Sequence, residues 1–131
     1  MEAVTFDTGA LIAADRGERA FWVFWKLITT RGIVVTVPAP VVAEAWRGAR
    51  CAQMARVISG CRPVALDVPR ARKIGELCAR TRTADVVDAS VVVVAASSGA
   101  DVLTSDPDDI RRLASHQAGV GRIIPLASLE A

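Results

Sequence analysis

A stretch of 27 residues, Thr83 to Asp109 (TADVVDASVVVVAASSGADVLTSDPDD), limits what this chain can become, because it strings a nearly uncharged Val- and Ala-rich segment between two acidic clusters. Asp85 stands where a helix N-cap belongs and Asp88 follows three residues later, so a helix opening near Val86 places both carboxylates beside its free N–H groups. Ser97, Ser98 and Gly99 stop that helix. The run Asp101 to Thr104 (DVLT) has β propensity, and Ser105-Asp106-Pro107 makes a turn into a further helix, with Asp106 as its cap. The four consecutive valines, Val91 to Val94, favour a buried strand on intrinsic grounds. Length decides for helix: the segment is about thirteen residues, long for a strand, and a helix apolar on most sides suits a core against a sheet. It is too short for the roughly 18 to 20 apolar residues of a membrane span.

With 131 residues, 52% hydrophobic and 23% charged, the chain is expected to fold as one domain, residues 1 to 131, with a sizeable core. A net charge of +2 does not by itself indicate a nucleic-acid partner. Arginines and lysines concentrate in the middle third, from Arg47 to Arg82, either as a solvated helical face or as a rim that attracts phosphate. Cys51, Cys61 and Cys78 have no C-x-x-C spacing, so free thiols in a reducing cytoplasm are expected rather than disulfides or a zinc site. The N-terminus, MEAVTFDTG, has neither a basic region nor a long apolar one, and no signal peptide is expected.

In chain order, Ala3 to Phe6 reads as a strand running into Asp7, then a short helix over Ala10 to Ala14 and a second over Glu18 to Thr30. In the second helix Phe21, Trp25 and Ile28 share a helical face, while Trp22 and Phe24 widen the apolar surface beyond one stripe. Core packing explains most of that surface; the remainder, together with Trp46, suggests an aromatic patch for a protein partner. Ile33 to Val37 is a second strand, and Pro38-Ala39-Pro40 leads into a helix carrying Glu44 one turn inside, with the next break at Ser59-Gly60. Val64 to Leu66 is a weak third strand, Asp67 and Pro69 open a helix running to about Arg82, Pro107 to Ser115 is helical, and Ile123 to Leu126 is a last strand.

Strands alternating with helices imply an α/β fold with a central, mostly parallel sheet covered on both faces. In such sheets ligands collect outside the carboxyl ends of the strands. Asp7 and Asp106 each follow a strand there, and Asp88 and Glu44 are expected in early helical turns at the same edge. Four carboxylates so gathered repel unless a cation joins them; a pair about 6 Å apart costs roughly 3 kcal/mol at an effective dielectric near 20. Oxygen-only ligands point to Mg²⁺ or Mn²⁺, and His116 is the single histidine. Mg²⁺ so held meets phosphate oxygens, which makes phosphate-ester chemistry the leading class.

Phe6-Asp7-Thr8 after the first strand, Glu44 in the helix after Pro40, Asp85 to Ala96 (DVVDASVVVVAA) and Thr104-Ser105-Asp106 together resemble the four acidic signatures of PIN-domain ribonucleases, in particular the VapC toxins of bacterial toxin–antitoxin pairs. The match runs over nearly the whole chain, in order and at compatible intervals. The resemblance implies a small α/β/α domain, Mg²⁺- or Mn²⁺-dependent cleavage of RNA by a metal-activated water, homodimerisation and neutralisation by a cognate antitoxin. It makes Asp7, Glu44, Asp88 and Asp106 the metal-binding acids, with Thr104 or Thr8 orienting a water or ligand. Asp85 and Asp109 are less secure as site acids: capping of its helix accounts for Asp85, and the dipole of a helix N-terminus for Asp108 and Asp109. Arg47 and Arg82 would grip the substrate backbone without reading bases.

Three other readings compete. Phosphoaspartate-forming phosphatases need a second acid two residues after the first, where this chain has Gly9; receiver domains need paired acids and a late lysine, and Lys26 and Lys73 are the only lysines. A nuclease-like scaffold that binds RNA or protein without cutting would retain metal binding and lack cleavage.

Overall fold

The computed structural model describes residues 1–130. Strands β1 (Ala3–Phe6), β2 (Val34–Pro38), β3 (Arg62–Val64), β4 (Asp101–Thr104) and β5 (Ile123–Pro125) form one sheet in the order β3-β2-β1-β4-β5. Every pairing is parallel, so the sheet is wholly parallel. The helices are α1 (Thr8–Asp15), α2 (Arg19–Thr30), α3 (Ala39–Ala45), α4 (Ala52–Ser59), α5 (Val68–Thr81), α6 (Val86–Ser98) and α7 (Pro107–Ala114), followed by a 3₁₀ turn over Leu126–Glu130.

β1 shows why both faces must be covered: Val4, Thr5 and Phe6 point alternately up and down, and all three are fully buried. Phe6 packs edge-on against Phe21 at 5.6 Å and lies 6.0 Å from Trp25, which assigns α2 to its face. On the opposite face the Thr5 hydroxyl meets that of Thr36 on β2 at 2.8 Å, so two buried polar groups satisfy each other. α6 packs over β1, β2 and β4 between α5 and α7, while α1 packs over β1 and β4 beside α2 and α4.

The valine-rich segment is a helix with the expected bounds. Asp85 Oδ1 accepts the Asp88 N–H at 3.0 Å, and Gly99 ends the helix in the left-handed region at φ 67°. All residues from Ala89 to Ala95 are buried, which offsets the weaker helix propensity of Val. Elsewhere the structure corrects the sequence reading. The third strand is Arg62–Val64, two residues earlier than expected, and the last strand stops at Pro125. The helix carrying Glu44 is only seven residues long: Trp46 turns extended at ψ 132°, Gly48 has φ 99°, and a separate helix begins at Ala52.

The chain leaves β1 toward β2 and β3 on one side, then returns across α5 and α6 to β4 and β5 on the other. The strand order therefore reverses between β1 and β4, and a crevice opens outside their carboxyl ends. Asp7 follows β1 there and Ser105 and Asp106 follow β4.

Candidate metal centre

Asp7 is built into the frame. Its Oδ1 accepts the Ala10 N–H at 2.9 Å, capping α1, and its Oδ2 accepts the Ser105 N–H at 3.0 Å, tying α1 to the end of β4. Only 3% of it is exposed. Burial pushes its carboxyl above the usual range, against the opposing effect of hydrogen bonds from the Thr104 hydroxyl and from the backbone at Ala10, Ser105 and Gly9. Gly9 makes this closeness possible: a Cβ there would fall inside the Ser105 side chain.

Three further carboxylates meet beside it. Oxygens of Asp88, Asp106 and Asp109 all lie within 4.8 Å of one another, close enough to share one cation. Asp88 sits in the first turn of α6, half-buried, and Asp106 and Asp109 lie at the cap and first turn of α7, exposed. The Thr104 hydroxyl accepts the Asp106 N–H at 2.8 Å and so shapes the turn.

The charges are uncompensated. Asp88 is raised from 3.8 to about 7, first by burial, then by the charge of Asp85 and a hydrogen bond with it, then by the charges of Asp106 and Asp7. Asp106 is raised first by a hydrogen bond with Asp109, then by burial and by the charges of Asp109, Asp7 and Asp85. Mutual repulsion among oxygen donors is what a hard divalent cation relieves, so the donor set fits Mg²⁺ or Mn²⁺. The Thr8 hydroxyl, next in sequence to Asp7, is buried without a hydrogen-bond partner.

The four acids read from sequence do not end up equivalent. Asp7, Asp88 and Asp106 are neighbours whose charges act on one another. Glu44 is in the last turn of α3, not an early one, because that helix ends at Ala45. It is exposed and lines a separate groove with Asp15, Arg16, Arg47 and Arg50. Asp109, open from sequence between a site acid and a dipole partner, joins the carboxylate group. The spacing of three between Asp106 and Asp109 was the available signal, since i and i+3 share a helix side. Asp85 caps α6 and lines the cleft of Asp88 and Asp109, but it is not one of the three carboxylates that meet within 4.8 Å. Of the arginines expected at the substrate, Arg47 donates to the Ala43 and Trp46 carbonyls at 3.2 and 2.7 Å, and Arg82 is exposed at the left-handed end of α5.

The aromatic patch is only partly free. Phe21 is buried, the Trp22 indole N–H donates to the Ala14 carbonyl at 3.1 Å, and Arg56 lies over the Trp22 ring at 5.2 Å. Trp46 remains 39% exposed, and Val23 and Leu27 of α2 are exposed as well.

A wholly parallel α/β sheet with an acidic, cation-attracting site at its switch point defines the class of protein. The PIN domain family model matches residues 4–115, and the chain belongs to that family. No curated protein matches it in sequence. Among solved structures it is similar to a chain of VapBC2 from Rickettsia felis bound to a DNA fragment from their promoter, with TM-score 0.69 and 11% identity over 92% of this chain and 96% of that one. A chain of FitAB bound to an IR36 DNA fragment gives 0.65 and 16% over 94% and 95%. A chain of DNA-bound VapBC from Salmonella typhimurium gives 0.67 and 19% over 96% and 99%. At these identities the likeness is one of fold. Among the described residues no helix is long and apolar enough to cross a membrane.

Proposed function

We propose that the protein is a metal-dependent endoribonuclease, the toxin of a toxin–antitoxin pair, and that it hydrolyses RNA phosphodiesters with a metal-activated water. The observation that carries this reading is the meeting of Asp88, Asp106 and Asp109 within 4.8 Å beside the buried Asp7, at the sheet's switch point. PIN family membership supports nuclease chemistry. Asp7, Asp88 and Asp106 would hold the ion, with Asp109 as a further ligand; Glu44 joins them on the strength of the resemblance. Mg²⁺ or Mn²⁺, when bound, supplies Lewis acidity and lowers the pKa of its water. The protein's own residues fix positions: the Asp7 carboxylate is held by two backbone N–H groups, and Thr104 holds the turn that carries Asp106. The resemblance gives Thr104 or Thr8 the orienting of a water or ligand, and the unpartnered Thr8 hydroxyl supports that reading.

The similar structures are two-component complexes on DNA, which supports an antitoxin as partner. Exposed Val23 and Leu27 on α2, with Trp46, offer it apolar surface. A homodimer working in the cytoplasm completes the reading. The test is incubation of the antitoxin-free protein with cellular RNA in Mg²⁺, in Mn²⁺ and in excess chelator. Discrete cleavage with either ion and none in chelator is expected. Metal binding without cleavage of any RNA would establish the scaffold reading instead.

A further inference from the structure

The cleft in front of α6, about 170 Å³, is lined by Thr81, Thr83, Asp85, Asp88, Asp109, Arg112 and Leu113. It holds three carboxylates and one guanidinium, and that cation is not neutralised by the acids around it. Among the described residues the ion pairs are Arg111 with Asp108 and Arg122 with Asp101. Arg112 instead donates through Nη2 to the Thr81 carbonyl, at the C-terminal end of α5. That end carries exposed carbonyls and the negative pole of the helix dipole, which hold a guanidinium without cancelling its charge.

We infer that Arg112 is a phosphate-gripping residue of this site. The inference rests on the ribonuclease reading above and adds a contact to it. A phosphodiester drawn to an ion on Asp88, Asp106 and Asp109 would bring its non-bridging oxygens into the cleft that Arg112 lines. A guanidinium has five N–H donors in a planar fork matched to phosphate oxygens, and one nitrogen of Arg112 is committed to Thr81. The remaining donors are available to hold the phosphate in line. Acids in this cleft select the metal; Arg112 offsets their repulsion of the anionic substrate. The anchoring carbonyl gives the side chain a fixed position, which a free surface arginine lacks.

The test compares Arg112→Gln, Arg112→Lys and Arg111→Gln, the last removing a neighbouring charge that is already paired with Asp108. Expected is a fall in kcat/KM for RNA of roughly ten- to a hundredfold in Arg112→Gln, the scale of a lost hydrogen bond to a charged group, with Arg111→Gln close to wild type. Arg112→Lys keeps the charge and loses the fork, and falls between them. Because Arg112 also ties α7 to α5, stability alone does not decide its role. Binding of a short fluorescent single-stranded RNA is therefore followed against salt by stopped flow in Mg²⁺, before cleavage sets in, so that all the proposed ion-holding acids stay in place. Arg112→Gln should lower the slope of log Kd on log salt by roughly 0.7, one phosphate contact, and Arg112→Lys should retain it. A lower melting temperature for Arg112→Gln with unchanged salt slope and unchanged kcat/KM would make Arg112 a structural tie only and overturn the inference. If the protein with Arg112 intact neither binds nor cuts RNA, the ribonuclease reading fails and the inference falls with it.

Discussion

Asp7 and Ser105 are 98 residues apart in sequence, yet the Asp7 Oδ2 accepts the Ser105 N–H at 3.0 Å. With the Oδ1 occupied by the Ala10 N–H, one carboxylate fixes both the start of α1 and the end of β4. Asp7 is therefore a structural residue as well as a candidate ligand. Asp7→Asn replaces one accepting oxygen by an NH₂ group that faces a backbone N–H. It should abolish cleavage and also destabilise the fold by about 1–2 kcal/mol, read as a lower urea midpoint.

Gly9 gives a second handle on the same junction. Gly9→Ala places a methyl group inside the Ser105 side chain, and overpacking of this kind costs about 1–3 kcal/mol. The single variant should melt lower and cut RNA poorly. Adding Ser105→Gly removes the atoms it meets and should restore much of the loss; strict additivity of the two changes would place the strain elsewhere.

Asp88 tests the repulsion directly. Its carboxyl titrates near 4 when unfolded and at about 7 in the folded protein, so between these values the folded state binds more protons. Metal-free stability should therefore fall as pH rises from about 4, with the loss complete above about 7. Asp88→Asn removes the charge at nearly constant shape and should raise metal-free stability at pH 8 by roughly 1–2 kcal/mol, after allowance for solvent screening. The gain should vanish below pH 4. Thermal melts in chelator across this range provide the check, and a variant that melts below wild type at pH 8 would make Asp88 a structural hydrogen-bonding residue.

The helix around Asp88 was legible because its punctuation is local: Asp85 at one end, Gly99 at the other, and an apolar run too long for a strand. The parallel sheet followed from the alternation of strands and helices. Glu44 shows where this stops. Nothing in PVVAEAWRGAR forces a helix to end at Ala45; Gly48 is the one local breaker, and the bend depends on Trp46 and on packing that local pattern does not encode. Asp109 was ambiguous for a different reason. An acid in a first turn is stabilised by the helix dipole whether or not a metal is near, and only the approach of α6 to α7 brings Asp88 against it.

Glu44 separates resemblance from geometry. It is exposed and lines a separate groove, so Glu44→Gln should leave metal-free stability within roughly 0.5 kcal/mol of wild type, unlike Asp88→Asn. Cleavage should nonetheless fall, by roughly tenfold or more, because the resemblance makes Glu44 one of the acids that hold the ion. Full activity would remove Glu44 from the site.

The buried Thr5–Thr36 pair, 2.8 Å apart, predicts non-additivity in the core. Thr5→Val alone leaves one hydroxyl without its partner and should cost about 1–3 kcal/mol, whereas Thr5→Val with Thr36→Val should recover most of that loss. Denaturant melts of the single and double variants measure it.

On the proposed reading Asp7, Asp88 and Asp106, with Asp109, hold a divalent ion without which RNA is not cut. The most direct test titrates Mn²⁺ into wild type and Asp106→Asn, following bound Mn²⁺ by electron paramagnetic resonance and single-turnover cleavage of single-stranded RNA in the same samples. In wild type, cleavage should rise in step with occupancy and stop on addition of chelator, and Asp106→Asn should neither bind over that range nor cut. Cleavage that persists in excess chelator, or an Asp106→Asn protein that binds Mn²⁺ and cuts RNA as wild type does, would contradict the account.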